Sequence, residues 1–93
     1  MISRKRLRDF AHRYPDADGP LAAWYRIMKH MNFSSFGELK RTFGSADKVG
    51  SLTVFNVAGN RYRLVAAVHY NRRRVYVRHV LTHAEYDRRE WQK

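Results

Sequence analysis

VFNVAGNRYRLVAAVHYNRRRVYVRHVLTHAEYD, residues 54–87, is the stretch from which the fold can be worked outward. It opens as a strand, turns at Ala58-Gly59-Asn60 and runs back through residues 61–70. It turns again at residues 71–74 and returns over residues 75–81 before a helix start at Thr82. The apolar period is two throughout. In the middle strand Tyr62, Leu64, Ala66, Val68 and Tyr70 share one face, and Arg61, Arg63, Val65, Ala67 and His69 share the other. In the next, Val75, Val77, His79 and Leu81 oppose Tyr76, Arg78 and Val80. One face is expected to pack on helices, while the other is partly apolar and studded with Arg.

From Lys48 to Ala84 there is no Asp or Glu, while Lys48, Arg61, Arg63, Arg72, Arg73, Arg74 and Arg78 are cationic. Such a sheet carries a positive field. The whole chain has a net charge of +11, from 19 Lys and Arg against 8 Asp and Glu. That excess opposes compactness and answers to a polyanion, nucleic acid first and a membrane surface well behind. Arg supplies 14 of the cations, and its planar fork suits phosphate and stacks on bases.

Upstream, the period is helical. Residues 4–12 form a first helix capped by Ser3, with Leu7, Phe10, Ala11 and Tyr14 on one face and Pro15 ending it. Arg4, Lys5, Arg6 and Arg8 cover its solvated side. A loop, residues 16–20, leads to a second helix whose stripe is Leu21, Trp24, Tyr25, Ile27, Met28 and Met31. Ser35 with Glu38 signals a short third helix over residues 36–43, followed by a polar connector over residues 44–50. Residues 52–57 then alternate as a strand.

With 93 residues the chain makes one domain, residues 1–93, with one modest core. The absence of Cys excludes disulfides, thiolate zinc sites and a Cys nucleophile. Five His without a paired carboxylate motif make no metal site, and no cofactor is expected. His69 is expected as a core histidine and His79 at a sheet edge. No apolar run approaches a membrane span and no secretory signal follows the basic start, so a cytoplasmic protein is expected.

Thr82-His83-Ala84-Glu85 fits the Thr-x-x-Glu capping box. It sets His83 at the first helical position, with Tyr86 three and Asp87 four residues later, on one helix face. The same spacing also suits a purely structural end, in which His83 and Asp87 complement the helix and Tyr86 buries its ring.

Phe55-Asn56-Val57-Ala58-Gly59-Asn60, Tyr62-Arg63-Leu64-Val65, Val77-Arg78 and Thr82-His83-Ala84-Glu85-Tyr86-Asp87, in this order, resemble the HigB family. These are toxins of type II toxin–antitoxin systems within the RelE-like messenger-RNA endoribonucleases. The resemblance implies an α+β microbial ribonuclease fold, amino-terminal helices on one small antiparallel sheet with a short carboxy-terminal helix. It implies ribosome-dependent cleavage of messenger RNA, an arrest of translation, and neutralisation by a cognate HigA-type antitoxin. Through that antitoxin the complex would engage operator DNA. It places Arg63 where such toxins keep an active-site Arg, and His83 and Tyr86 where they keep carboxy-terminal catalytic groups. The basic residues that precede the carboxy-terminal Tyr in RelE are not reproduced; a His occupies that zone.

Metal-free cleavage needs a base for the 2′-hydroxyl, cations for the phosphorane and an acid for the leaving 5′-oxygen. His83 suits the acid–base role. Asp87 would orient it, Arg63 and Arg78 would hold the phosphate, and Tyr86 would donate a hydrogen bond or stack. Lys48, Arg61, Arg72, Arg73 and Arg74 would guide the RNA backbone. A different class competes: a noncatalytic RNA- or ribosome-binding module using the same Arg-rich sheet, with Tyr62, Tyr70 and Tyr76 as stacking platforms. A third is a domain that binds an acidic protein.

Overall fold

The computed structural model describes residues 4–30, 33–59, 61–72, 74–88 and 91. Three helices precede the sheet: α1 (Lys5–Arg13), α2 (Asp18–His30) and α3 (Phe36–Thr42). Four strands follow, β1 (Asp47–Val49), β2 (Leu52–Val57), β3 (Tyr62–His69) and β4 (Arg74–Thr82), and then α4 (His83–Asp87). The strands form one antiparallel meander in the order β1-β2-β3-β4. This is the expected α+β arrangement. Among the described residues, no helix is long and apolar enough to cross a membrane.

The helical periodicity becomes a buried wall. Leu7 and Phe10 of α1, Leu21, Trp24 and Met28 of α2, and Leu39 of α3 pack on Phe55, Leu64, Ala66, Val75 and Val77. Phe55 lies edge-on to both Trp24 (5.4 Å) and Phe43 (5.0 Å), a favoured arrangement of ring quadrupoles. The expected cap at Ser3 and the stripe position Met31 lie outside the described residues. Helix α2 begins at Asp18, after a single 3-10 turn over Pro15–Ala17, and so takes up part of the segment expected as a loop. Pro20 is tolerated there because first-turn N–H groups have no intrahelical acceptor.

Ser35 does cap α3, its hydroxyl accepting from the Glu38 N–H at 3.3 Å. The reciprocal half is displaced by one residue: Glu38 takes the backbone N–H and hydroxyl of Ser34, at 3.0 and 2.7 Å. The polar connector over residues 44–50 contains strand β1, paired with β2 through Asp47↔Val54, Lys48↔Thr53 and Val49↔Leu52. Three residues without apolar alternation give no strand signal. The pairing is imposed by the β2 edge.

The expected alternation in β4 fails at one point. Val65 pairs with His79 but Ala66 pairs with Val77, which leaves Arg78 as the extra residue of a β-bulge. The bulge shifts the phase. Val75 and Val77 face the helices, and so does Val80, whereas Leu81 turns to the other side with Val54 and Val65. That second face carries its own small core, in which Trp91 is buried against Val54 and Val65, with Leu81 and Tyr86 beside them.

The two halves of the chain are tied together by Asp16. Its Oδ1 accepts from the Tyr62 hydroxyl at 2.6 Å and its Oδ2 from Arg61 Nη1 at 2.8 Å. The Tyr62 hydrogen bond, with help from Arg61, holds the Asp16 carboxyl below its ordinary range. A carboxylate with a lowered folded pKa adds stability that is present above its unfolded pKa and is lost as pH falls through the folded one. Asp16→Asn is therefore expected to lower the thermal midpoint at neutral pH. Under acid the two proteins should converge, and midpoints followed from pH 7 to pH 2 test this. A constant gap at every pH would contradict it.

Candidate active site

The site is built where β3 starts and β4 ends. Thr82 fulfils the capping box in both directions: its hydroxyl accepts from the Glu85 N–H (3.2 Å) and its N–H donates to Glu85 Oε1 (2.9 Å). The His83 N–H donates to the Arg61 carbonyl at 3.0 Å. These bonds fix a five-residue helix, too short to hold itself, onto two strands at once.

On that helix His83 Nε2 lies 3.3 Å from Asp87 Oδ2, and both side chains are more than half exposed. Tyr86, between them in sequence, turns inward. Its ring stacks on Trp91 (5.2 Å, 16° between planes), and the Trp91 indole N–H donates to the Tyr86 carbonyl at 3.0 Å. Beneath it, the Arg63 guanidinium lies 5.5 Å from the Tyr86 ring centroid and donates from Nη1 to the Tyr62 carbonyl at 3.1 Å. Arg63 is only 9% exposed, and the Tyr86 ring lies over it.

Four of the five expected catalytic residues, Arg63, His83, Tyr86 and Asp87, are thus gathered at α4. Arg78 is exposed at the bulge, with its guanidinium 5.6 Å from the Tyr76 ring. It reaches the neighbourhood of His79, and its aromatic partner is Tyr76 rather than Tyr86, on which Arg63 lies. The expected RNA-binding cations spread widely. Lys48 is exposed on the edge strand β1, and Arg72 and Arg74 are exposed at the β3–β4 turn. That turn is the far end of β3, about 25 Å from α4 at strand spacing. Arg61 is held by Asp16, and Arg73 lies outside the described residues.

His69 is exposed and edge-on to Tyr76 at 5.4 Å, so it is not the expected core histidine; it falls at the end of β3 on the face turned away from the helices, while its neighbours Val68 and Tyr70 pack on the helix side. His79 is half-buried on the outer strand β4, as expected, but it also lines a groove. With Leu81, Glu85, Arg88 and Trp91 it bounds an open cavity of about 260 Å³ beside α4. No local pattern signals Trp91, which follows a charged run, or the groove. Among the described residues no three His, Asp or Glu side chains converge to hold a metal ion.

Residues 17–89 match the family model of the HigB toxin, a RelE-like toxic component of a toxin–antitoxin system. The chain belongs to the HigB family. It is similar to the mRNA interferase toxin HigB of Escherichia coli (strain K12), 38% identical over 90 residues, covering 94% of this chain and 86% of that protein. It is 31% identical over 91 residues to the mRNA interferase HigB of Escherichia coli O6:H1, covering 95% and 88%. The match to the HigB model takes in every strand and α4, and with them Arg63, Arg78, His83, Tyr86 and Asp87; Trp91 lies just beyond it. As the toxic component of a toxin–antitoxin system, a HigB protein has an antitoxin as its counterpart.

Proposed function

We propose that this chain is a ribosome-dependent messenger-RNA endoribonuclease, the cytoplasmic toxin of a type II pair, and that cleavage occurs at α4. The observation that carries this is the joining of Arg63, Tyr86 and the His83–Asp87 pair at one sheet end. A HigA-type antitoxin would neutralise it and carry the complex to operator DNA.

In this mechanism Asp87 engages His83 Nε2, which leaves Nδ1 of the neutral ring to take the proton of the 2′-hydroxyl. The 2′-oxygen then attacks its own phosphorus. Arg63 meets the charge that builds on the phosphorane. To do so its guanidinium must leave the Tyr86 ring. Such a cation–π contact contributes about 0.5–2 kcal/mol, less than the charge-assisted hydrogen bonds a phosphate would supply. The Tyr86 hydroxyl, displaced toward the substrate, protonates the leaving 5′-oxygen. Arg78 holds the backbone beyond the cut, and the exposed Lys48, Arg72 and Arg74 guide RNA by charge.

The noncatalytic module is less well supported, because two of its three stacking platforms are covered. Tyr62 is buried and Tyr70 half-buried on the helix side, and of the three only Tyr76 is open, at 40% exposure. The chemistry has a direct test in the product ends. A 2′,3′-cyclic phosphate and a 5′-hydroxyl are expected, and a 2′-deoxy substitution at the cut should abolish cleavage. Ends bearing 5′-phosphate would refute attack by the 2′-oxygen.

A further inference from the structure

We propose that the groove bounded by His79, Leu81, Glu85, Arg88 and Trp91 is a nucleobase subsite that reads an exocyclic amino group through Glu85. It deepens the ribonuclease reading above and rests on it, taking the base next to the cut. Its place follows from the register: Leu81, in the groove, is the Cα partner of Arg63, and Glu85 directly precedes Tyr86. At about 260 Å³ the groove lies below the roughly 300–1,000 Å³ typical of sites for drug-sized molecules, and suits a single flat heterocycle.

Leu81 and the buried Trp91 supply apolar walls, while Glu85 and Arg88 supply an acceptor and a donor. A carboxylate facing RNA in a chain of net charge +11 repels phosphate, so its presence calls for a reason. The capping box is not sufficient, because Gln serves at that position as well as Glu. The cap occupies Oε1, accepting from the Thr82 N–H at 2.9 Å. Among the described residues no donor reaches Oε2 and no carboxylate pairs with Arg88. An amino-bearing base fills the first vacancy with its N–H group, and its ring nitrogen or carbonyl accepts from Arg88. Uracil has no amino group and offers Oε2 only its ring N3–H. Burial, with the charges of Arg6 and Arg78, holds His79 below its ordinary value, so its neutral ring offers one acceptor and one donor.

Glu85→Gln is the deciding variant, since it keeps the cap and can turn an amide N–H₂ toward the groove. On translated messenger RNA, native protein should disfavour uridine at one position beside the cut. The variant should shift the ratio of uridine to adenosine and cytidine there by about tenfold, in line with one good base contact. In parallel, uncleavable 2′-O-methyl pentanucleotides differing at one base are titrated while the Trp91 indole N–H resonance is followed. Adenine and cytosine oligonucleotides should shift it more than uracil, with the order weakened in the variant. An unchanged base distribution and an unmoved Trp91 signal, with cleavage intact, would overturn the subsite alone. Base-selective shifts without any cleavage would retain the subsite and overturn the ribonuclease. A Trp91 shift caused by the antitoxin, and by no oligonucleotide, would make the groove a protein contact and overturn the proposal.

Discussion

Arg63→Ala is expected to slow messenger-RNA cleavage by about 10²–10³-fold, the cost of removing one well-placed donor from a charged transition state. Arg63 is a cation at 9% exposure, which is expensive unless the charge is used. Its present partners, the Tyr86 ring and one backbone carbonyl, are weak compensation for a buried guanidinium. Loss of the side chain also removes a support beneath Tyr86, so the variant should melt at a lower temperature. Rates are therefore to be compared well below both midpoints. Arg63→Lys separates charge from geometry. It keeps the cation but not the fork, and should recover only part of the rate. Full activity in Arg63→Ala, with folding intact, would remove Arg63 from the chemistry.

His83→Ala is expected to cost about 10²–10⁴-fold in cleavage, the usual contribution of a positioned acid–base group. Here the folding control is simpler. The His83 side chain is 53% exposed and its described partner is Asp87 at 3.3 Å, on the surface. An exposed pair of this kind is worth about 0–1 kcal/mol, so the midpoint should hardly move. The backbone N–H that ties α4 to Arg61 is retained by Ala. Asp87→Asn should give a smaller loss, since it disturbs the orientation of the ring without removing the proton carrier. It should leave RNA binding unchanged. A His83→Ala protein that cuts at the native rate would exclude the proton transfer assigned to it.

Much of this arrangement is legible in the chain. The period-two pattern of β3 separates Leu64 and Ala66 from Arg63 and Val65, and the two sets pack on opposite faces of the sheet. Thr82 and Glu85 announce α4, and the cap is made as its spacing requires. What is not legible arises from contacts distant in sequence. Asp16 meets Arg61 and Tyr62 across 45 and 46 residues, and no local pattern marks that meeting. The bulge at Arg78 leaves a plausible alternation in the letters while reversing the faces of Val80 and Leu81. Trp91 follows Arg88-Arg89-Glu90, a run that reads as solvated, yet it packs under the site because the apolar patch of Val54 and Val65 needs a cover. Resemblance to the HigB family marks Arg63, His83 and Tyr86, helical spacing adds Asp87, and the neighbouring strand adds Arg78, whose guanidinium lies on Tyr76 while that of Arg63 lies on Tyr86.

The most direct measurement is mapping of 5′ ends along a messenger RNA in a translating extract, and in the same extract with initiation blocked. Native protein, Arg63→Ala and His83→Ala are compared at equal concentration. Discrete ends that appear only with native protein and only during translation are the expected result. Ends that persist at full strength in both variants, or that appear equally without translation, would contradict cleavage on the ribosome at α4.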